Sequence, residues 1–108
     1  MLKNLTPHAL NIFDAEGKNL VVTIPPSGQV ARCSVKSEKV GEAEGVDLFA
    51  ASFGLVEDLP NPEEGTIFVV SMLVRSALPA REDLASPGDL IRDDKGQPVG
   101  CKGLNINR

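Results

Sequence analysis

Seven polar side chains stand beside turns in this sequence, where binding groups usually project from a scaffold. Thr6 and His8 belong to Asn4-Leu5-Thr6-Pro7-His8, and Ser27 and Arg32 follow Pro25-Pro26. Ser71 and Arg75 lie off the apolar stripe of a periodic segment, and Arg81 follows Pro79. A guanidinium offers planar paired donors that suit a carboxylate or phosphate. Serine and threonine hydroxyls, with backbone N–H groups of a turn such as Ser27-Gly28, would orient such an anion. No GxxxxGK[ST] phosphate loop is present. Acid–base catalysis would need His8 beside Ser27, Ser71 or Cys101 and an orienting carboxylate. No GxSxG elbow marks such a set, and the structural alternative for His8 is a cap at a strand start. The arginines have a structural alternative too. Arg81 can pair with Asp83, and Arg92 with Asp93 or Asp94, as solvated ion pairs worth about 0–1 kcal/mol.

Composition narrows the partners. The chain has 108 residues, which predicts one domain over 1–108, and a formal net charge of −4. Its basic residues are scattered, so a nucleic-acid polymer is not an expected partner. Aromatics are four Phe with no Trp or Tyr, which removes the stacking platform of a single-strand binder. Cys33 and Cys101 are far apart, and His8 is the sole histidine, so a zinc site lacks ligands. The pairs Glu42/Glu44, Glu57/Asp58 and Asp93/Asp94 do not match calcium-loop spacing. No metal and no cofactor are expected. The first residues lack a signal-peptide apolar run, and nothing approaches a membrane span. A cytoplasmic location with reduced cysteines is the expectation.

The elements that must hold these residues are mostly strands. Leu10 and Ile12 alternate with Asn11, Gly17 closes a turn, and Leu20, Val22 and Ile24 return on one face: a β-hairpin. Gln29 to Val35 reads as a strand with Val30, Arg32 and Ser34 on one face and Ala31, Cys33 and Val35 on the other. Lys36 to Gly45 is polar and reads as an exposed loop. Val46 to Val56 suits a strand by alternation or a helix at its start. Glu57 to Gly65 is a loop, and Thr66 to Val69 a short strand. Val70, Leu73, Val74, Ala77 and Leu78 predict one helix near 69–78, stopped by Pro79. Pro87-Gly88 suits a type II turn. Asp89 to Asp93 and Gln97 to Cys101 form a second hairpin closed at Gly96, with Pro98 at an edge or a bulge. The expected fold is α+β, mainly antiparallel: a small sandwich or partly open barrel with one helix.

Asn4-Leu5-Thr6-Pro7-His8, Pro25-Pro26-Ser27-Gly28-Gln29-Val30-Ala31-Arg32, Val69-Val70-Ser71, Arg81-Glu82-Asp83-Leu84 and Arg92 to Cys101 follow one another along the chain. In this order of segments it resembles a group of short, uncharacterised bacterial and phage proteins, over nearly its full length. The resemblance carries no activity and transfers no catalytic residues. Several unrelated phage proteins of similar size act as sponges for nucleotide immune signals, an analogy of size and context.

Together these readings predict a non-enzymatic binding protein for a small anionic, nucleotide-like ligand, in a phage setting an anti-defence sponge. Thr6, His8, Ser27, Arg32, Ser71, Arg75 and Arg81 are its ligand-binding candidates. A domain this small has little interior for a cavity, which directs the expectation to a pocket between subunits of a homo-oligomer. The alternatives are a small hydrolase or lyase using His8, and a protein–protein or virion interaction module using a sheet edge near Pro98.

Overall fold

Alternating short strands joined by glycine turns cannot bury their apolar faces in pairs alone, and here they close on one another. The structure, a computed structural model, describes residues 1–107. It contains β1 (Leu2–Asn4), β2 (Leu10–Phe13), β3 (Leu20–Ile24), β4 (Arg32–Ala43), β5 (Val46–Glu57), β6 (Ile67–Val69), α1 (Met72–Ala77), β7 (Leu84–Arg92) and β8 (Pro98–Ile106). Six strands form one sheet in the order β1-β6-β7-β8-β2-β3, while β4 and β5 pair only with each other. The outer strands of the six, β1 and β3, meet: the Asn4 side chain donates to the Ile24 carbonyl at 3.1 Å, and the Ser27 N–H donates to the Asn4 carbonyl at 3.1 Å. The sheet is therefore a nearly closed barrel.

Strand directions are mixed. The ladders β2/β3, β7/β8 and β4/β5 are antiparallel, and β1/β6, β6/β7 and β2/β8 are parallel. The antiparallel character holds for the long ladders; the parallel pairs are short links, of β1 to β6, of β6 to β7, and of β2 to β8. β1, which sequence patterning did not single out, pairs Leu2, Lys3 and Asn4 with Ile67, Phe68 and Val69.

Two apolar clusters fill the interior. One gathers Leu5, Ala31, Phe68, Val70, Val74 and Leu84, with Cys33, Val56, Leu59 and Leu78 packed against it. The other gathers Ile12, Ile24 and Cys101 with Leu10 and Leu104. Phe68, Leu5 and Leu84 are completely buried, each a contribution of roughly 1.5–3 kcal/mol.

Two local expectations are corrected. The segment 36–45 is no loop: it continues β4, and the reversal occurs at Glu44 (φ 51°) and Gly45 (φ 82°). The result is a hairpin of two 12-residue strands, also settling Val46 to Val56 as strand. Pro87-Gly88 is no turn but lies inside β7, with Pro87 opposite Leu104. From Ser86 onward β7 has only β8 beside it, and proline is tolerated on such a local edge. Gly88 is required for a different reason: a Cβ there would collide with the Lys102 carbonyl oxygen. Pro98 does sit beside an irregularity, opposite Arg92, but on β8, an inner strand rather than an edge.

The helix is shorter than its stripe. Ser71 caps it, accepting from the Val74 N–H at 3.2 Å, and Val74 is its one buried residue.

The long hairpin stands away from the barrel. At its root Cys33 lies opposite Val56, and both pack on the core. Gly54 and Leu55 then stand together against Ser34, a bulge between the Cys33/Val56 and Val35/Phe53 pairs. The extra residue keeps Val35, Phe53, Ser37, Ala51, Lys39 and Phe49 on the core-facing side of the ribbon. That side runs on past the barrel into solvent.

Candidate functional site

β4 leaves the barrel with Arg32 and Ser34 on the side opposite Cys33, as two-residue periodicity requires. β5 returns beside it, with Glu57 opposite Arg32. The helix start comes from the other direction, because Ser71 must stand outside the helix to cap it. Between them is an open hollow of about 450 Å³ lined by Arg32, Ser34, Leu55, Glu57, Ser71 and Leu73 with Ala31 and Cys33. Two of the seven candidates, Arg32 and Ser71, are thus brought together. The Ser71 oxygen accepts from the Val74 N–H, which leaves its O–H to donate into the hollow. Arg32 is exposed, and among the described residues its guanidinium takes part in no hydrogen bond or ion pair, Glu57 included.

The other arginines are committed within the fold. Arg75 donates from Nε to Ser86 Oγ at 2.8 Å and from Nη1 to Asn107 Oδ1 at 3.1 Å. Arg81 forms a planar fork on Asp83, Nε to Oδ1 at 2.7 Å and Nη2 to Oδ2 at 2.8 Å, and reaches the Pro60 carbonyl at 3.2 Å. The Arg81 hydrogen bonds hold the Asp83 carboxyl below the usual carboxylate range, and those same bonds raise the guanidinium's own pKa. Arg92 donates to the Gly96 carbonyl at 2.9 Å, a turn brace rather than a pair with Asp93 or Asp94.

The Thr6 and Ser27 hydroxyls and the His8 carbonyl serve the loops that carry them. Asn4 is buried, and its side-chain oxygen accepts from the Thr6 N–H at 2.9 Å and the Thr6 hydroxyl at 2.6 Å. Its amide donates to the His8 carbonyl at 2.8 Å. Asn4 is the organiser of the 4–8 segment. Ser27 accepts from the Gln29 N–H at 3.3 Å in a local turn. His8 borders a second hollow of about 380 Å³ with Asn11, Pro87, Pro98 and Cys101. Burial pushes the Cys101 thiol up, and its hydrogen goes to the Gly103 carbonyl at 3.5 Å. An activated thiolate needs the opposite shift, so this hollow holds no prepared cysteine nucleophile.

Sequence reasoning placed Arg32 and Ser34 on one face and so contained the start of the first hollow. It did not contain Glu57, Leu55 or Leu73. Glu57 joins the hollow only because the hairpin register sets it against Arg32. Leu73 is 37% exposed although its spacing assigns it to the buried stripe; six residues of helix turn only Val74 fully inward. Among the described residues no three His, Cys, Asp or Glu side chains gather as a metal site, and no helix is long and apolar enough to cross a membrane. No family model, no curated protein and no solved structure matches the chain.

Proposed function

We propose that this protein binds a small anionic ligand, without transforming it, in the hollow at the root of the long hairpin. The observation that carries the reading is the contrast among the arginines. Arg75, Arg81 and Arg92 are each spent on partners within the fold, whereas Arg32 is unengaged among the described residues and borders a hollow with the Ser34 and Ser71 hydroxyls. One guanidinium presents one fork, which suits a single phosphate or carboxylate group. Glu57 beside it cancels the local charge and works against polyanions, in keeping with a net charge of −4. A nucleotide-like ligand would place one phosphate on Arg32 and its less polar part against Leu55 and Leu73.

The hollow is open, so one protomer alone would leave such a ligand half covered. Calorimetry with inorganic phosphate, nucleoside monophosphates, cyclic nucleotides and ADP-ribose tests the proposal. A saturable signal is expected with at least one nucleotide-like compound. Arg32→Ala should weaken it by about 10- to 150-fold, the loss of a charge-assisted hydrogen bond of about 1.5–3 kcal/mol. No heat at high micromolar concentration, or an Arg32→Ala variant that binds as the wild type, overturns it.

A further inference from the structure

Past its root the hairpin exposes side chains of the kind that cores ordinarily take up. Phe49, Phe53 and Val35 are 61%, 50% and 47% exposed. With Ala51 they form an apolar strip along one face of β4 and β5, continuous with the Cys33–Val56 pair seated on the core. The chain has only four phenylalanines, and two of them are on this strip. Opposite Phe49, Lys39 bonds both Glu42 at 2.8 Å and Asp47 at 3.1 Å and closes the strip on its tip side with a polar clasp.

The surface area says how much covering is missing. A folded monomer of 11.5 kDa should expose about 5,800 Å² by the usual size scaling. This chain exposes 7323 Å², an excess of about 1,500 Å² over that scaling. The radius of gyration agrees, at 16.3 Å against about 13 Å for a compact chain of this length. That excess belongs to both faces and both edges of the ribbon, and a stable interface, at about 800 Å² from each partner, takes about half of it. Val46 and Leu48 are exposed on the opposite face nearer the tip; the strip bearing both phenylalanines is the one continuous with the core, and laid against itself it can satisfy a two-fold axis.

We infer that the strip of Val35, Phe49, Ala51 and Phe53 is a homodimer interface, covered by the same strip of a second copy of this chain. The inference stands on exposed area and does not depend on the ligand hollow, whose Arg32 and Leu55 occupy the opposite face of the ribbon.

Sedimentation equilibrium of the full chain tests it. The wild type should show twice the 11.5 kDa of one chain at about 10 µM and above, a concentration that a micromolar complex satisfies. The double variant Phe49→Glu, Phe53→Glu should show the single-chain mass with an unchanged circular-dichroism spectrum, because both rings lie outside the core clusters. Leu55→Glu alters a residue 87% exposed on the other face and should keep the wild-type mass. A wild type that remains one chain at about 100 µM, where even weak specific dimers assemble, overturns the inference. So does a double variant that keeps the doubled mass, or a Leu55→Glu variant that loses it. Phosphate or nucleotide binding is scored separately, so failure of one proposal leaves the other readable.

Discussion

Removing the Asn107 side chain should unfasten the helix from the end of the sheet. Its amide Nδ2 lies 3.0 Å from the Arg75 carbonyl, 3.0 Å from the Leu78 carbonyl and 3.2 Å from the Arg81 carbonyl, and its Oδ1 accepts from Arg75. One side chain thus ties three carbonyls at the helix's end and beyond it. A six-residue helix does not persist by its own propensity, since isolated helices shorter than about 12–15 residues are marginal. Two neutral hydrogen bonds at about 1 kcal/mol each and a share of the charged one at about 1.5–3 kcal/mol give an expected loss near 3 kcal/mol for Asn107→Ala. That is a large part of the roughly 5–15 kcal/mol that holds a domain together. Urea unfolding should show a midpoint lower by about 1–2 M with an unchanged slope. Asn107→Asp separates the parts: it keeps an acceptor for Arg75, adds charge, and loses the donor to the carbonyls. If the carbonyl bonds matter, this variant is also clearly destabilised. A wild-type midpoint for Asn107→Asp, or a loss below about 0.5 kcal/mol for Asn107→Ala, within the range of a neutral surface substitution, would refute the reasoning.

Asp83→Asn should cost about 1–3 kcal/mol at neutral pH, because the fork with Arg81 is largely shielded, at 23% and 18% side-chain exposure. The Asp83 pKa is depressed on folding, so its contribution is present above the unfolded carboxylate pKa of about 3.9 and lost as pH falls through the lower folded value. Denaturation curves of wild type and variant should begin to draw together below about pH 4 and meet only below the folded Asp83 pKa; a gap that persists below both pKa values would show that packing rather than the ion pair is responsible. Gly88→Ala should destabilise by about 1–3 kcal/mol or more, since the new methyl collides with the Lys102 carbonyl across the β7–β8 ladder. Gly41→Ala, which meets nothing within 4 Å, should be near neutral, and equal melting curves for the two variants would contradict the clash.

The parts legible in the sequence were those where one face of a strand is buried and a glycine marks the return. Leu10 to Ile24 has the glycine and buries Ile12 and Ile24, though Leu20 and Val22 stay exposed; the second hairpin has its glycine at Gly96, with φ 79°, and buries Cys101. Lys36 to Ala43 meets neither. Apart from Val40 and Ala43 its residues are polar or glycine on both faces, so no apolar alternation shows, and a shift at Val40 between the Lys39/Phe49 and Gly41/Leu48 pairs breaks the phase. Pro87-Gly88 misleads because the same two residue types serve a turn and a local strand edge with a close backbone approach. The expected helix began too early because Val70 is apolar for a different reason: it lies in the core and donates to the Ala85 carbonyl at 2.8 Å. The Arg81–Asp83 pair was visible as a nearby carboxylate. The partners of Arg75, Ser86 and Asn107, lie in β7 and beyond β8, and no local pattern announces them. Arg32 was visible as a candidate, while its distinction from the other arginines became visible only when their partners were in place.

The parallel pairing of β2 with β8 sets Ile12 against Cys101. A chain leaving the ribosome therefore carries its first hairpin unroofed until almost the last strand has emerged, and closure over such sequence separations is slow on the scale of local hairpin formation. The β4–β5 ribbon needs no such wait, since its ladder is local. During synthesis the phenylalanine-bearing arm can be complete before the interior it springs from.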